Sequence, residues 1–200
     1  MSWKDDQKWE LDWHGNCANS FWEETKQIVY ARKMGLSATM IEGKYPSYDL
    51  QNKSVIDIGG GAYSMLLKCV NFNKAIVVDP CDYPQWTVDR YKETKIQVIK
   101  NTGEDYKTEE IHDEAWLYNC LQHTIDPEQI IKNMQSYSRI IRVFEWVDNG
   151  ISIGHPHDLK EGLLNEWFGG EGKVEQINES GCHGKVYYGV FKGDHYEKNK

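Results

Sequence analysis

The sequence predicts an α/β protein with a doubly wound, mostly parallel sheet of seven strands that ends in an antiparallel hairpin. From residue 53 onwards, apolar strand-like runs alternate with helix-like segments. Strands that are apolar throughout are typical of a parallel sheet covered on both faces. The last two strand-like runs, 173–178 and 185–191, are separated only by residues 179–184. That link is too short for the crossover that parallel strands require, so the two runs should pair antiparallel.

The elements before the sheet are predicted from local signals. Residues 1–18 are aromatic and polar without a period, which favours an extension or lid. A capping box at Ser20–Glu23 begins a helix that Gly35 ends, and a loop over 37–52 leads to the sheet. The apolar face predicted for this helix consists of Phe21, Ile28, Ala31 and Met34.

The main domain is predicted at residues 51–193, after an N-terminal region at 1–50 and before a short tail at 194–200. β-branched and apolar runs predict its strands, and helical spacing of apolar residues predicts the helices between them. The predicted strands before the hairpin are 54–58, 75–78, 96–99, 115–119 and 139–144. The predicted helices are 64–70, 85–94, 127–137 and 159–168.

A glycine run follows the first predicted strand. Ser54–Ile58 is largely β-branched, contains Asp57 and leads directly into Gly59-Gly60-Gly61. Glycine has no Cβ, so its backbone can take left-handed angles and approach a ligand closely. A strand, a glycine turn and a helix in this order are typical of nucleotide-like ligand sites, although a plain Gly-rich turn is the alternative. Ser64 replaces the last glycine of a G-x-G-x-x-G fingerprint, which disfavours a dinucleotide.

Polar and acidic segments follow the next three predicted strands. Val77-Val78-Asp79-Pro80 ends the second strand, 101–105 follows the third, and 119–127 follows the fourth. In a doubly wound sheet, ligands bind beyond the carboxyl ends of the strands, so these segments should face one crevice. A carboxylate there can accept strong, charge-assisted hydrogen bonds from ligand hydroxyls.

Together these segments resemble class I S-adenosylmethionine (SAM)-dependent methyltransferases. Residues 57–61 are similar to the family's glycine-rich first motif, and Asp79 to the acid that ends its second strand. Gly103-Glu104-Asp105 resembles the turn after strand three, and 119–127 resembles the stretch after strand four. The final antiparallel hairpin is also typical of this Rossmann-like methyltransferase fold. The resemblance covers roughly residues 50–193, with Tyr63 standing where a third glycine often occurs.

The resemblance implies SAM as the cofactor and suggests roles for the residues at the crevice. The backbone of Gly59 and Gly61 would lie against the methionine part, and Asp79 would accept hydrogen bonds from the ribose hydroxyls. Either Glu104 or Asp105 would accept from the adenine amino group. Asp57 would organise the loop or hold the cofactor's ammonium through water. The rest of the predicted cofactor-binding set is Gly60, Pro80 and Asn119.

The residues around the methyl acceptor are less well specified. His123, just past the fourth predicted strand, is the hypothesis for a general base, and a packed histidine at a helix start is the alternative. The other residues predicted to line the acceptor pocket are Trp13, His14, Trp22, Tyr30, Glu145, His155 and His157. The N-terminal aromatic residues among them could equally pack on the sheet. His155 and His157 also invite a metal site, but a proline turn explains their spacing better, and no metal is predicted.

Composition and charge exclude several classes of function. The formal net charge of −8 and the dispersed lysines argue against a nucleic-acid partner. The 5 cysteines form no CxxC pair and indicate reduced thiols. The polar N-terminus and the lack of a long apolar run argue against a signal peptide and a membrane partner. We therefore expect a cytoplasmic protein.

The sequence as a whole predicts SAM-dependent methyl transfer to an oxygen or nitrogen atom of a small molecule. The first alternative is a module that binds SAM, or a partner protein, without turnover. The second, less favoured alternative is a nicotinamide-dependent oxidoreductase. The sequence leaves the oligomeric state open.

Overall fold

The computed structural model of this chain describes residues 3–14 and 20–196. The strands are β1 (Ala38–Ile41), β2 (Tyr45–Asp49), β3 (Ser54–Ile58), β4 (Cys69–Val70), β5 (Lys74–Val78), β6 (Gln97–Ile99), β7 (His112–Tyr118), β8 (Ser138–Trp146), β9 (Lys173–Glu179) and β10 (Cys182–Lys192). The α-helices are α1 (Trp3–His14), α2 (Ser20–Lys33), α3 (Gln85–Glu93), α4 (Pro127–Tyr137) and α5 (Glu161–Phe168). Short 3₁₀ turns lie at Gly61–Tyr63, Met65–Lys68 and Leu121–His123.

Seven strands form one mostly parallel sheet in the order β6-β5-β3-β7-β8-β10-β9. The pairs from β6 to β8 are all parallel, while β10 runs antiparallel to both β8 and β9. The predicted fold class is confirmed, including the antiparallel hairpin. From β3 the chain first adds β5 and β6 on one side of the sheet and then crosses to add β7 and β8 on the other side. A doubly wound sheet opens its ligand crevice at this change of side, between β3 and β7.

The sheet is covered on both faces, as its apolar strands predict. Along β3, Ile56 and Ile58 pack with α4 and α5 on one face. Val55 lies on the other face in a second core with α2 and α3, which includes Tyr30 and Tyr91. Because side chains alternate along a strand, a strand buried on both faces reads as a continuous apolar run.

The helix predicted at 64–70 is wrong. Ser64 has an extended backbone, with φ −53° and ψ 143°, and its hydroxyl accepts a bond from the Leu66 amide. Only one 3₁₀ turn follows, because Cys69 and Val70 form β4 and pair with β2. The backbone groups that a longer helix would use are committed to this second, smaller sheet of β1, β2 and β4.

The N-terminal region contains two further corrections. The loop predicted at 37–52 contains the antiparallel strands β1 and β2, whose register pairs Ala38 with Tyr48. In α2, Ile28 is 44% exposed and does not belong to the buried face. That face carries Glu23, Gln27 and Tyr30, so two of its positions are polar, and hydrophobic spacing alone misplaces it.

A buried ion pair joins α2 to the sheet. Glu114 on β7 is 1% exposed and accepts bonds from Arg142 Nε at 2.7 Å and Arg142 Nη2 at 3.0 Å. Lys53 Nζ at 2.8 Å and Trp116 Nε1 at 2.9 Å donate to the same carboxylate. Arg142 Nη1 also donates to the carbonyl of Met34, just after α2, at 2.7 Å. These bonds hold the pKa of Glu114 near 2, although burial opposes them.

His112, at the start of β7, is fully buried, and neither of its ring nitrogens has a hydrogen-bond partner. Its ring lies edge-on to Tyr137, with the centroids 6.2 Å apart. Burial lowers the pKa of the imidazole, an effect that nearby Glu110 and Asp113 oppose and Lys74 assists.

We expect the His112→Phe variant to lose less stability in acid than the unsubstituted protein. The folded-state pKa lies below the ordinary value of 6.5, so below pH 6.5 the unfolded chain binds a proton that the folded protein does not. The contribution of neutral His112 to stability is therefore fully present above pH 6.5 and is lost as the pH falls toward its folded-state pKa. Urea unfolding at pH 7 and pH 5.5 measures this loss. His195→Phe, at an exposed site, is the control, and equal losses in both variants would contradict the expectation.

No helix in the described ranges 3–14 and 20–196 is long and apolar enough to cross a membrane.

Candidate functional site

A cavity that is partly open to solvent, with about 870 Å³ of empty space, lies beyond the carboxyl ends of β3, β5 and β7. The glycine run forms one wall, and the segments after β5, β6 and β7 contribute Asp79, Gly103 and Asn119. The segments that the sequence analysis places at one crevice therefore do meet there. Helices α1 and α2 complete the lining.

The glycine run exposes bare backbone to this cavity. Gly59 and Gly61 have φ angles of +71° and +62°, in the left-handed region that favours glycine. A Cβ at Gly59 would lie 2.2 Å from Cys120 Sγ, and a Cβ at Gly60 would lie 2.6 Å from Asp57 Oδ2. Both positions therefore require glycine.

Helix α3 fixes the turn that follows the glycine run. The Tyr91 hydroxyl donates to the Gly61 carbonyl at 2.7 Å and accepts from the Ser64 amide at 2.8 Å. Arg90 donates to the Ala62 carbonyl, and its guanidinium lies 4.8 Å from the centre of the Tyr63 ring. Tyr63 lines the cavity and is held in place by these contacts. The turn therefore accommodates a tyrosine at the position where a third glycine often occurs.

Asp57 does not line the cavity; it supports the loop from behind. It is fully buried, and its Oδ2 accepts bonds from Ser64 Oγ and from the Tyr118 hydroxyl, both at 2.5 Å. Burial raises its pKa to about 7, although these two bonds act in the opposite direction. Of the two roles that the sequence leaves open for Asp57, the contacts support organisation of the loop.

Asp79 presents a carboxylate at the end of β5. Its Oδ2 accepts from the Gly61 amide at 3.0 Å, and its Oδ1 accepts from the Cys81 amide at 2.9 Å. Asp79 itself lines the cavity, and a carboxylate can accept hydrogen bonds at both of its oxygens. Pro80 lines the cavity beside it.

Of the two acids after β6, Glu104 lines the cavity, whereas Asp105 is exposed and does not. Glu104 Oε1 accepts from the amides of Ile125 and Asp126, at 2.8 and 3.1 Å, which ties this turn to the start of α4. Asn119 has a φ of +50° at the end of β7, and its Oδ1 accepts from Gln122 at 3.0 Å.

His123 also lines the cavity, and its contacts define its tautomer. Its Nδ1 lies 2.7 Å from the carbonyl oxygen of Gly154, which can only accept, so Nδ1 carries the proton. In the neutral ring, Nε2 then has the lone pair, and the Gln122 amide donates to it at 3.1 Å. Nε2 is therefore the atom of His123 that can take up a proton, provided that the bond from the Gln122 amide breaks.

A second cavity, with about 840 Å³ of empty space, adjoins the first. Glu23, Asn119 and His123 line both cavities, so they mark the junction. Trp9 and His155 line only the second one.

The other residues predicted to line the acceptor pocket are scattered. Tyr30 lines the first cavity, while Trp22 is 55% exposed and lines neither. Glu145 is fully buried and accepts bonds from the amides of Cys120 and Leu121, and burial raises its pKa to about 7. His157 Nε2 lies 2.8 Å from the Thr124 carbonyl, outside both linings. The side chains of Trp13 and His14 lie outside what the structure describes.

Apart from Tyr30, sequence reasoning missed the helical part of the lining. Trp3 and Gln7 on α1, and Glu23 and Gln27 on α2, all face the first cavity. Gln27 Nε2 donates to the Tyr63 carbonyl, and its Oε1 accepts from Lys68 at 2.6 Å. The spacing of Glu23, Gln27 and Tyr30 places them on one helical face, which is a signal that could have been used.

The part of the chain that the structure describes contains no cluster of three or more His, Cys, Asp or Glu side chains suited to a metal ion.

Comparisons with known proteins find structures with a similar architecture at low sequence identity. No protein-family model and no curated protein matches the sequence. The N-methyltransferase NodS from Bradyrhizobium japonicum WM9 in complex with S-adenosylhomocysteine is 14% identical, with a TM-score of 0.58 over 86% of this chain and 88% of NodS. The DhpI–SAH complex is 9% identical, with a TM-score of 0.60 over 96% and 98% of the respective chains.

The chain has the class I methyltransferase fold. The Burkholderia thailandensis 1,6-didemethyltoxoflavin-N1-methyltransferase, with 1,6-didemethyltoxoflavin and S-adenosylhomocysteine bound, has the same architecture. It is 13% identical, with a TM-score of 0.56 over 88% of this chain and 80% of the other. The methyltransferase fold therefore extends well beyond the residues whose motifs predict it.

Proposed function

We propose that this protein transfers a methyl group from SAM to an oxygen or nitrogen atom of a small molecule and releases S-adenosylhomocysteine. The observation that carries the proposal is the combination of bare glycine backbone and the Asp79 carboxylate in one cavity. The S-adenosylhomocysteine bound in structural neighbours supports this cofactor. The small acceptor bound in the Burkholderia enzyme and the net charge of −8 here support a small molecule over a nucleic acid.

The residues present fit such a cofactor. A Cβ at Gly59 or Gly60 would meet neighbouring side chains within 3 Å, so the wall stays bare. Asp79 would accept bonds from a ribose, and Glu104, which lines the same cavity, would accept from an adenine amino group. Glu23 and Asn119, at the junction of the cavities, would lie nearest the group that is transferred.

SAM, when bound, supplies an activated methyl group on a positively charged sulfur. The chain must then align the acceptor, exclude water and take up a proton where the acceptor carries one. His123 Nε2 is the proton acceptor that we propose. Helix α1, through Trp3 and Gln7, would cover the cofactor as a lid. The spacing of the cysteines supports a cytoplasmic location as part of the same proposal.

Calorimetric titration with S-adenosylhomocysteine and, separately, with NAD tests the choice of cofactor. We expect saturable binding of S-adenosylhomocysteine and no heat with NAD, because the loop lacks the last glycine of a dinucleotide fingerprint. Binding of NAD alone would refute the proposal. Binding of S-adenosylhomocysteine without methyl transfer to any compound in a metabolite panel would favour a non-catalytic module.

Replacing Asp79 with Ala should weaken S-adenosylhomocysteine binding by about 1.5–3 kcal/mol, the usual value of hydrogen bonds to a charged group. Asp79→Asn keeps an oxygen for the Cys81 amide and should lose less. Asp82→Ala is the matched control, because Asp82 pairs with Lys100 outside the cavity. Calorimetry gives all three affinities. An Asp79→Ala variant that binds as tightly as the Asp82→Ala control would show that the ribose site is elsewhere.

A further inference from the structure

The apolar wall of the second cavity is aromatic. The rings of Trp9 and His155 lie edge to face, with centroids 6.2 Å apart and planes at 74°. His155 in turn lies 4.6 Å from His123, at 66°. Trp146 also lines the cavity, and no aliphatic side chain of the described residues does. Aromatic faces and edges favour a flat aromatic ligand.

The charge of this cavity disfavours a cationic amine. Glu23 is the one carboxylate lining it among the described residues, and Lys26 Nζ already pairs with Glu23 Oε1 at 2.9 Å. The remaining polar lining consists of imidazoles and side-chain amides, including Asn119 and Gln122. The charge of the one carboxylate in this lining is already balanced by Lys26, whereas a hydroxyl group can bond to the amides and imidazoles.

One backbone position connects the aromatic wall to the basic nitrogen. Gly154 has a φ of +78°, and a Cβ there would lie 2.9 Å from Trp9 Cε3, so Trp9 packs directly on bare backbone. The carbonyl of the same residue accepts a hydrogen bond from His123 Nδ1, so the lone pair of the neutral ring is on Nε2. Gly154 therefore supports both Trp9, in the aromatic wall, and His123, the proposed proton acceptor.

We propose that the methyl acceptor is a hydroxylated aromatic ring, such as a phenol, which binds against Trp9 and His155. This inference rests on the proposed methyl transfer. The hydroxyl oxygen forms a bond to the methyl carbon while the carbon–sulfur bond breaks and its electron pair stays on sulfur. The hydroxyl proton moves to His123 Nε2, where it displaces the hydrogen bond from the Gln122 amide, and from there to solvent.

The affinities of three probes, measured in separate titrations, test this assignment. With S-adenosylhomocysteine saturating, the protein is titrated calorimetrically with naphthol, with its saturated counterpart decahydronaphthol and with naphthylmethylamine. We expect naphthol to bind about tenfold more tightly than either of the others, since only it combines a flat ring with a neutral hydroxyl. Tighter binding of the amine, or equal binding of the saturated ring, would overturn the assignment.

A pair of tryptophan variants tests the wall itself. Trp9→Leu should weaken naphthol binding about tenfold and change the affinity for S-adenosylhomocysteine much less, because Trp9 lines only the second cavity. Trp22→Leu, at a tryptophan outside both linings, should change neither. Unchanged naphthol affinity in a folded Trp9→Leu variant would overturn the role of Trp9. Failure of S-adenosylhomocysteine to bind the unsubstituted protein would instead refute the proposed function.

Discussion

A Gly59→Ala variant is expected to be about 2–5 kcal/mol less stable than the unsubstituted protein and to bind S-adenosylhomocysteine at least about tenfold more weakly. Two costs add at this position. The left-handed φ of +71° disfavours any residue with a Cβ, and that Cβ would lie 2.2 Å from Cys120 Sγ. Relief of the clash moves either the loop or the segment after β7, and both line the cavity.

Two further variants separate these costs. In Gly61→Ala the φ is also left-handed, at +62°, but the nearest atom is the Tyr83 hydroxyl oxygen at 3.5 Å. Only the backbone cost of about 1–2 kcal/mol should remain there. Adding Cys120→Ala to Gly59→Ala removes the clashing sulfur and should restore part of the stability. Urea unfolding and calorimetry measure both effects. Native-like values for Gly59→Ala alone would contradict the close packing of this loop.

Arg142→Met should lower the free energy of unfolding by about 3–5 kcal/mol, the usual cost of removing one partner of a buried ion pair. Glu114 is 1% exposed and would keep its charge with only Lys53 opposite it. The Met34 carbonyl would also lose its donor, which weakens the attachment of α2 to the sheet. Because α2 contributes Glu23 and Gln27 to the cavity, we expect a secondary loss of ligand affinity.

Arg139→Met is the matched control on the same strand. Arg139 pairs with Asp113 at 3.7 Å with both side chains exposed, and such pairs contribute about 0–1 kcal/mol. The pKa of Glu114, about 2, adds a second readout. Its folded-state value lies below the ordinary 4.5, so this stabilisation is present above pH 4.5 and is lost as the pH falls toward 2. Arg142→Met should flatten that acid limb. Equal losses of stability in Arg142→Met and Arg139→Met would refute the role of the buried pair.

The parts of the fold that the sequence predicts are those with a local cause. Strand β3 is predicted correctly because burial on both faces leaves its sequence largely apolar and β-branched, apart from Ser54 and Asp57. The short link between β9 and β10 excludes a crossover, so the hairpin follows from chain length alone. The glycine run is visible because left-handed backbone angles and close contacts exclude other residues.

The errors arise where distant partners decide the structure. Residues 64–70 have helical spacing, but Cys69 and Val70 pair with a strand that the sequence presents as a Pro- and Gly-containing loop. Likewise, Gln27 looks like a surface residue until its bond to the Tyr63 carbonyl is known. Asp57 and Asp105 are both acids within the predicted motifs, yet Asp57 is fully buried and Asp105 faces solvent. A sequence pattern does not encode which way such side chains point.

Helix α1 contacts both cavities, because Trp3 and Gln7 line the first and Trp9 lines the second. Two ligands bound there would each bury part of one short helix. If binding of one ligand favours docking of this helix, it also raises the affinity for the other ligand. Thermodynamic linkage then requires the second ligand to raise the affinity for the first by the same factor. We therefore expect synergistic binding, in which the acceptor binds more tightly once the cofactor's product is present. A truncation that removes residues 1–14 should abolish the part of this synergy that depends on α1.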